Sequence, residues 1–169
     1  MQKQFISFQQ MQGLVASICR DITHSNWKPD LVVGITRGGC LPAVMISHYF
    51  NTPAEMLTVS LRDGGETTSN CWLAEEAFGY NCEKKNILVV DDICDNGNTF
   101  DWIVNDWQQS CCPVSDKWKN IWNHNVRFAA IVDNVANNFS KSVDYAGMEI
   151  NKAEMPVWIE FPYESWWNS

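Results

Sequence analysis

The sequence predicts an α/β fold in which a mostly parallel central sheet carries helices on both faces. Three observations lead to it. Short apolar runs at 31–35, 87–90 and 128–132 are continuous rather than alternating, which suits strands buried on both sides. Segments of helical period, 41–49 and 100–107, stand between them. Strands alternating with helices in this order form a parallel sheet with right-handed crossovers. The length agrees, since 169 residues make one domain at roughly 150 residues per domain.

Each element has its own signal. Ser7-Phe8-Gln9-Gln10 has the form of a capping box, and Met11, Leu14, Val15 and Ile18 follow at helical spacing. The strand Leu31-Val32-Val33-Gly34-Ile35 leads into Thr36-Arg37-Gly38-Gly39, where the period changes. Pro42 suits the first turn of a helix whose Leu41, Val44, Met45, His48 and Tyr49 share one face. Residues 54–61 read as another strand. The polar, glycine-containing stretch from Arg62 to about Lys85 reads as a long loop, of the kind that often forms a lid. After Ile87-Leu88-Val89-Val90 comes a short loop, then a helix with Phe100, Ile103, Val104 and Trp107 on one stripe. Beyond the strand at 128–132 the chain is rich in aromatics and short turns.

Composition narrows the function. Twenty Asp and Glu against twelve Lys and Arg leave a net charge of −8, and there is no basic run. Nucleic acid is therefore excluded as a partner, because its binding rests on counterion release by basic side chains. No window approaches 18 consecutive apolar residues, and Met1–Gln12 lacks the apolar core of a signal peptide. The expectation is a cytoplasmic chain without membrane contact. Seven cysteines, an odd number with no CxxC pair and only three histidines, argue against a disulfide framework or a zinc site.

In parallel sheets ligands bind beyond the carboxyl ends of the strands. Two loops fall at that edge, Thr36–Gly39 and Asp91–Thr99. Asp91 and Asp92 end a buried strand, an expensive place for two carboxylates unless a ligand uses them. Their side chains are expected on opposite sides of the strand, so that both reach a polyhydroxylated ligand only at the strand's end. Asn96-Gly97 is also a hairpin signal, but the helical period from Phe100 onward makes 96–99 the opening of a helix. A small-residue turn at a helix N-terminus presents backbone amides and the positive end of the dipole, which suits a phosphate. Taken alone, the same residues also fit a plain cap with solvated acids.

The stretch Val89-Val90-Asp91-Asp92-Ile93-Cys94-Asp95-Asn96-Gly97-Asn98-Thr99 is similar to the phosphoribosyl pyrophosphate (PRPP) motif of the type I phosphoribosyltransferases. Gly34-Ile35-Thr36-Arg37-Gly38-Gly39 resembles that family's pyrophosphate loop. Trp158-Ile159-Glu160-Phe161-Pro162 resembles the C-terminal hood of the xanthine–guanine and related purine members. The resemblance implies a single domain over 1–169, with a lid at about 60–85 and hood elements at about 145–169.

It also implies magnesium-dependent transfer of the 5-phosphoribosyl group from PRPP to a purine base. Asp91 and Asp92 would hold the ribose hydroxyls and the magnesium ion, and Asp95 would accept a proton from the base. Asp95, Asn96, Gly97, Asn98 and Thr99 would surround the 5′-phosphate, while Thr36, Arg37, Gly38 and the lid residue Arg62 would hold pyrophosphate. Trp158 would stack on the base, with the backbone near Ile159 reading its edge. Members that use 6-oxopurines generally place a Lys after the fourth core strand. Aligned at Val132, this chain has Asp133-Asn134 there, with Lys141 the next lysine, so Asn134, whose amide can donate or accept and so suits a 6-oxo or a 6-amino purine, becomes the implied base reader. The hood favours xanthine, guanine or hypoxanthine, and a dimer or tetramer is implied. Two rivals remain: a PRPP-binding regulator of the same fold, and a receiver-type phosphoacceptor domain, whose acids would follow an N-terminal strand.

Overall fold

The computed structural model describes residues 1–59 and 71–168. Its strands are β1 (Gln2–Phe5), β2 (Leu31–Thr36), β3 (Ala54–Thr58), β4 (Ile87–Cys94), β5 (Val126–Asn134), β6 (Tyr145–Ile150) and β7 (Val157–Glu160). Its α-helices are α1 (Phe8–His24), α2 (Cys40–Phe50), α3 (Cys71–Phe78) and α4 (Asn98–Ser110). Five strands form one sheet in the order β3-β2-β4-β5-β6, parallel throughout. β1 and β7 pair in parallel as a separate two-stranded sheet.

Side-chain alternation divides the core into two layers. Val32, Leu88, Val90 and Ile131 meet Val15, Ile18 and Ile22 of α1 and Ile46 of α2. Val33, Val89, Phe128 and Ala130 meet Leu73 and Ala77 of α3 with Phe100 and Trp107 of α4. Each of these larger side chains contributes about 1.5–3 kcal/mol by leaving water, so the helices cover both faces without disulfides. The seven cysteines are thiols, with Cys19, Cys94 and Cys111 buried. Among the described residues, no helix is long and apolar enough to cross a membrane.

The helix signals at the two ends of the core stand as read. The Ser7 hydroxyl accepts from Gln10 N at 3.1 Å and the Gln10 side chain accepts from Ser7 N at 2.8 Å, which closes the capping box of α1. Phe100, Ile103, Val104 and Trp107 are the buried stripe of α4.

Elsewhere the structure differs from the sequence expectations. α2 buries Pro42, Ala43 and Ile46, while Leu41, Val44 and Tyr49 are exposed. Its sequence is apolar almost all round, so periodicity does not choose the face; the close seat of Ala43 over Gly34 does. β3 ends at Thr58 rather than 61, and residues 60–61 and Arg62 lie outside the described residues. The stretch expected to be loop up to Lys85 contains α3, whose Leu73, Ala74, Ala77 and Phe78 are buried. β4 continues through both acids to Cys94. Of the span 145–169, Tyr145–Ile150 belongs to the main sheet, whereas Val157–Glu160 joins β1 over the α1/α2 side of the core.

Candidate active site

The carboxyl ends of β2 and β4 open into a cavity of about 990 Å³. Thr36, Arg37 and Gly38, the three acids Asp91, Asp92 and Asp95, the turn Asn96-Gly97-Asn98-Thr99, and Trp158 with Ile159 all line it. The structure therefore gathers residues from three distant stretches of sequence around one space. Lys152 and Tyr163 line it too, and neither had a sequence signal of its own.

β4 carries its acids through a slip in alternation. Val90 and Ile93 share the α1/α2 layer, and Val89 and Cys94 share the other, a spacing that a regular strand forbids. Asp91 and Asp92 stand beside this slip at the end of the strand, and both residues line the cavity. Asp91 Oδ1 accepts from Asp92 N at 2.9 Å, and Asp92 Oδ1 accepts from Ile93 N at 2.8 Å. Burial, and then the charge of Asp92, hold the Asp91 carboxyl well above the usual carboxylate range. Burial raises Asp92 as well, opposed by the hydroxyl of Tyr163 and the Ile93 amide. Two half-buried acids with raised pKa values form a site that a cation or several hydroxyl donors would relieve. The nearby thiols are poor nucleophiles: burial and Asp133 push Cys94 up to about 12, and burial and Asp91 raise Cys40.

The turn after Asp95 opens α4 through a glycine. Gly97 has φ +87°, and a Cβ there would fall 2.5 Å from Phe139 N, so both conformation and space require glycine. Asn98 N donates to the Asn96 side chain at 2.9 Å, and Asp101 N to Gly97 O at 3.0 Å. Between them lie Thr99 and Phe100, whose first-turn amides have no intrahelical acceptor. The turn is gripped from behind, because Asn138 N donates to Asn96 O at 3.1 Å.

Opposite stands the loop after β2. Its Thr36–Arg37 peptide is cis, Arg37 is exposed, and the Thr36 hydroxyl bonds that of Thr58 at 3.1 Å. Gly38 makes room for Asp92: a Cβ there would fall 1.9 Å from Asp92 Oδ2. The Tyr163 hydroxyl donates to the same Oδ2 at 2.9 Å, and burial beside Asp92 holds that phenol far above its ordinary range.

Asp95 is paired. Lys152 Nζ lies 2.8 Å from its Oδ1, reaching in from the segment after β6. Asn134, expected to read the base, does not line the cavity. Its buried amide donates to Asp95 O at 2.8 Å and accepts from Lys152 N at 3.0 Å. Asn134 thus ties together the backbones of the pair. Lys152, whose backbone Asn134 holds, comes from just beyond the next strand, β6. The carboxyl-edge rule would have found Lys152, had Tyr145–Ile150 been read as a strand. Trp158 closes the far wall from β7, 42% exposed, while the Ile159 side chain is buried.

Comparisons with known proteins agree with this architecture. The family model for the phosphoribosyl transferase domain matches residues 2–113. Xanthine phosphoribosyltransferase 1 of Saccharomyces cerevisiae is 23% identical over 128 residues, 64% of this chain. The match spans 61% of the yeast protein's length. Among solved structures, a purine phosphoribosyltransferase from Pyrococcus horikoshii is similar with a TM-score of 0.67 at 19% identity, covering 96% of this chain and 95% of that one. The xanthine-guanine-hypoxanthine phosphoribosyltransferase of Helicobacter pylori gives 0.66 at 14% identity, covering 98% and 96%. At such identities these two structures speak to the fold.

Proposed function

The chain belongs to the phosphoribosyl transferase domain family, and from that premise we propose that it transfers the 5-phosphoribosyl group of PRPP to a 6-oxopurine. The products are a nucleoside monophosphate and pyrophosphate, the chemistry of purine salvage. The observation that carries the reading is the shared cavity: an anion-shaped turn, a second polar loop and an aromatic wall surround three carboxylates.

Each group then has a task. Backbone amides of the Asn96–Thr99 turn, with the Thr99 hydroxyl, receive the 5′-phosphate. Asp91 and Asp92 accept hydrogen bonds from the ribose hydroxyls. Thr36, Arg37 and Gly38 receive pyrophosphate, and Arg62 belongs to the same proposal. The transition state carries positive charge on the sugar, so carboxylates beside it stabilise it. Trp158 stacks on the base, the Ile159 backbone meets its edge, and Asp95 takes its proton. Lys152 supports the oxo preference. An ammonium donates only, so beside Asp95 it suits a ring carbonyl and opposes a ring amino group. The likeness to the yeast xanthine enzyme points the same way.

Magnesium fits the donor set. Among the described residues no group of three or more acidic, His or Cys ligands forms a cage. Asp91 and Asp92 would hold the ion together with oxygens of PRPP, the usual arrangement for this cation. When bound it neutralises the leaving pyrophosphate. Assembly into a dimer or tetramer and a cytoplasmic location complete the proposal.

A coupled pyrophosphate assay tests it. Release should require PRPP, magnesium and a purine together. Tight PRPP binding without release would instead favour a regulatory protein.

A further inference from the structure

Three stretches of chain meet at one oxygen. The Tyr163 hydroxyl lies 2.9 Å from Asp92 Oδ2 and 3.1 Å from Gly38 O, so one phenolic proton serves both the acid strand and the loop after β2. The closer partner is the carboxylate, a charge-assisted bond. The Tyr163 ring lies parallel to that of buried Phe161, with centroids 5.7 Å apart and planes within 2°. The turn that carries both rings is closed by its own bonds. Glu164 N donates to Phe161 O at 3.1 Å, and Phe161 N donates to the Glu164 side chain at 2.8 Å. The phenol is thus presented by a fixed segment, and that segment is the continuation of β7, which carries Trp158.

We propose that Tyr163 is a positioning residue, whose hydroxyl fixes the Asp92 carboxylate and the Gly38 carbonyl to receive the sugar and pyrophosphate parts of PRPP. The proposal rests on the functional reading above, which gives the phenol no task. With Tyr163 on Oδ2 and Ile93 N on Oδ1, Asp92 presents its remaining lone pairs in set directions. It need not reorganise when ribose hydroxyls arrive. The same bond ties the aromatic segment, and with it the base wall, to the sugar site.

Tyr163→Phe removes one oxygen and leaves the ring stack. Calorimetry with PRPP and magnesium should show affinity about tenfold weaker, because the released Asp92 carboxylate and Gly38 carbonyl must then be ordered on binding. The KM for PRPP should rise to match, while the KM for guanine stays within about twofold and the folded spectrum by circular dichroism is retained. Gly38→Ala attacks the contact from the other side, since its Cβ displaces Asp92 Oδ2. It should also weaken PRPP more than guanine. Equal PRPP affinity in wild type and Tyr163→Phe overturns the proposal, as does an equal loss for PRPP and guanine. Should Tyr163→Phe fail to fold, Gly38→Ala decides, and retained PRPP affinity there overturns it. A wild type that binds no PRPP overturns the functional reading together with this one, whereas binding unaffected by either variant overturns the positioning role alone.

Discussion

Lys152 Nζ stands 2.8 Å from Asp95 Oδ1, in a cavity where the lysine side chain is 18% exposed and the carboxylate 47%. The pair sets a hydrogen-bond acceptor beside a donor. Under the proposed function, a base whose ring presents N–H next to C=O would meet both. Adenine, with an amino group in place of the 6-oxo group, would meet a donor with a donor.

Lys152→Met keeps most of the stem and removes the charge. The KM for hypoxanthine or guanine is expected to rise ten- to a hundredfold, the range for one hydrogen bond to a charged group. Discrimination against adenine should shrink by a similar factor. Steady-state kinetics with the separate bases check both, and an unchanged preference would remove Lys152 from base selection.

Asp95→Asn preserves shape and loses basicity. Turnover should fall by about 10²–10⁴-fold, the usual weight of a general base. PRPP affinity, measured by calorimetry, should scarcely move, because the proposed function gives the phosphate to the turn amides and not to the Asp95 side chain. Undiminished turnover would end the assignment.

Trp158→Ala removes the stacking wall. The stacking term beyond buried area is about 0.5–1.5 kcal/mol, and lost area adds to it, so the KM for the base should rise roughly tenfold or more. The KM for PRPP should not change. An effect confined to PRPP would contradict the role.

Much of this was legible in the sequence where local and global signals coincide. The continuous apolar runs of β2 and β4 can only be buried on both faces, and the α4 stripe is strictly periodic. The acid-rich turn announced itself because carboxylates at a buried strand end are costly. What escaped depends on distant partners. β1 is four exposed residues, and it is a strand only because β7, more than 150 residues later, pairs with it. β6 holds Ala146 and Gly147 in its first half, residues of low strand propensity, and is ordered by its pairing with β5. Without β6, the sequence places Lys152 at no strand edge. The Tyr163–Asp92 bond joins positions 71 apart, which no spacing reveals.

The acid pair also makes a prediction about stability. Burial first, and Asp92 second, raise the Asp91 pKa in the folded chain above its unfolded value. The folded state therefore holds that proton more tightly. Its contribution is most favourable below the unfolded Asp value, about 3.9, and is lost as pH rises through the raised folded one. Asp91→Asn should accordingly melt higher than wild type at pH 7, with the gain vanishing below about pH 4. Thermal melts across that range check the sign, and a lower melting temperature at pH 7 would refute it.

The most direct measurement is chromatography of the products formed from PRPP, magnesium and each purine in turn. Xanthine, guanine or hypoxanthine should appear as its nucleoside 5′-monophosphate, in step with pyrophosphate, and adenine should yield little. Conversion of adenine alone, or of no base at all, would contradict the proposed transfer to a 6-oxopurine.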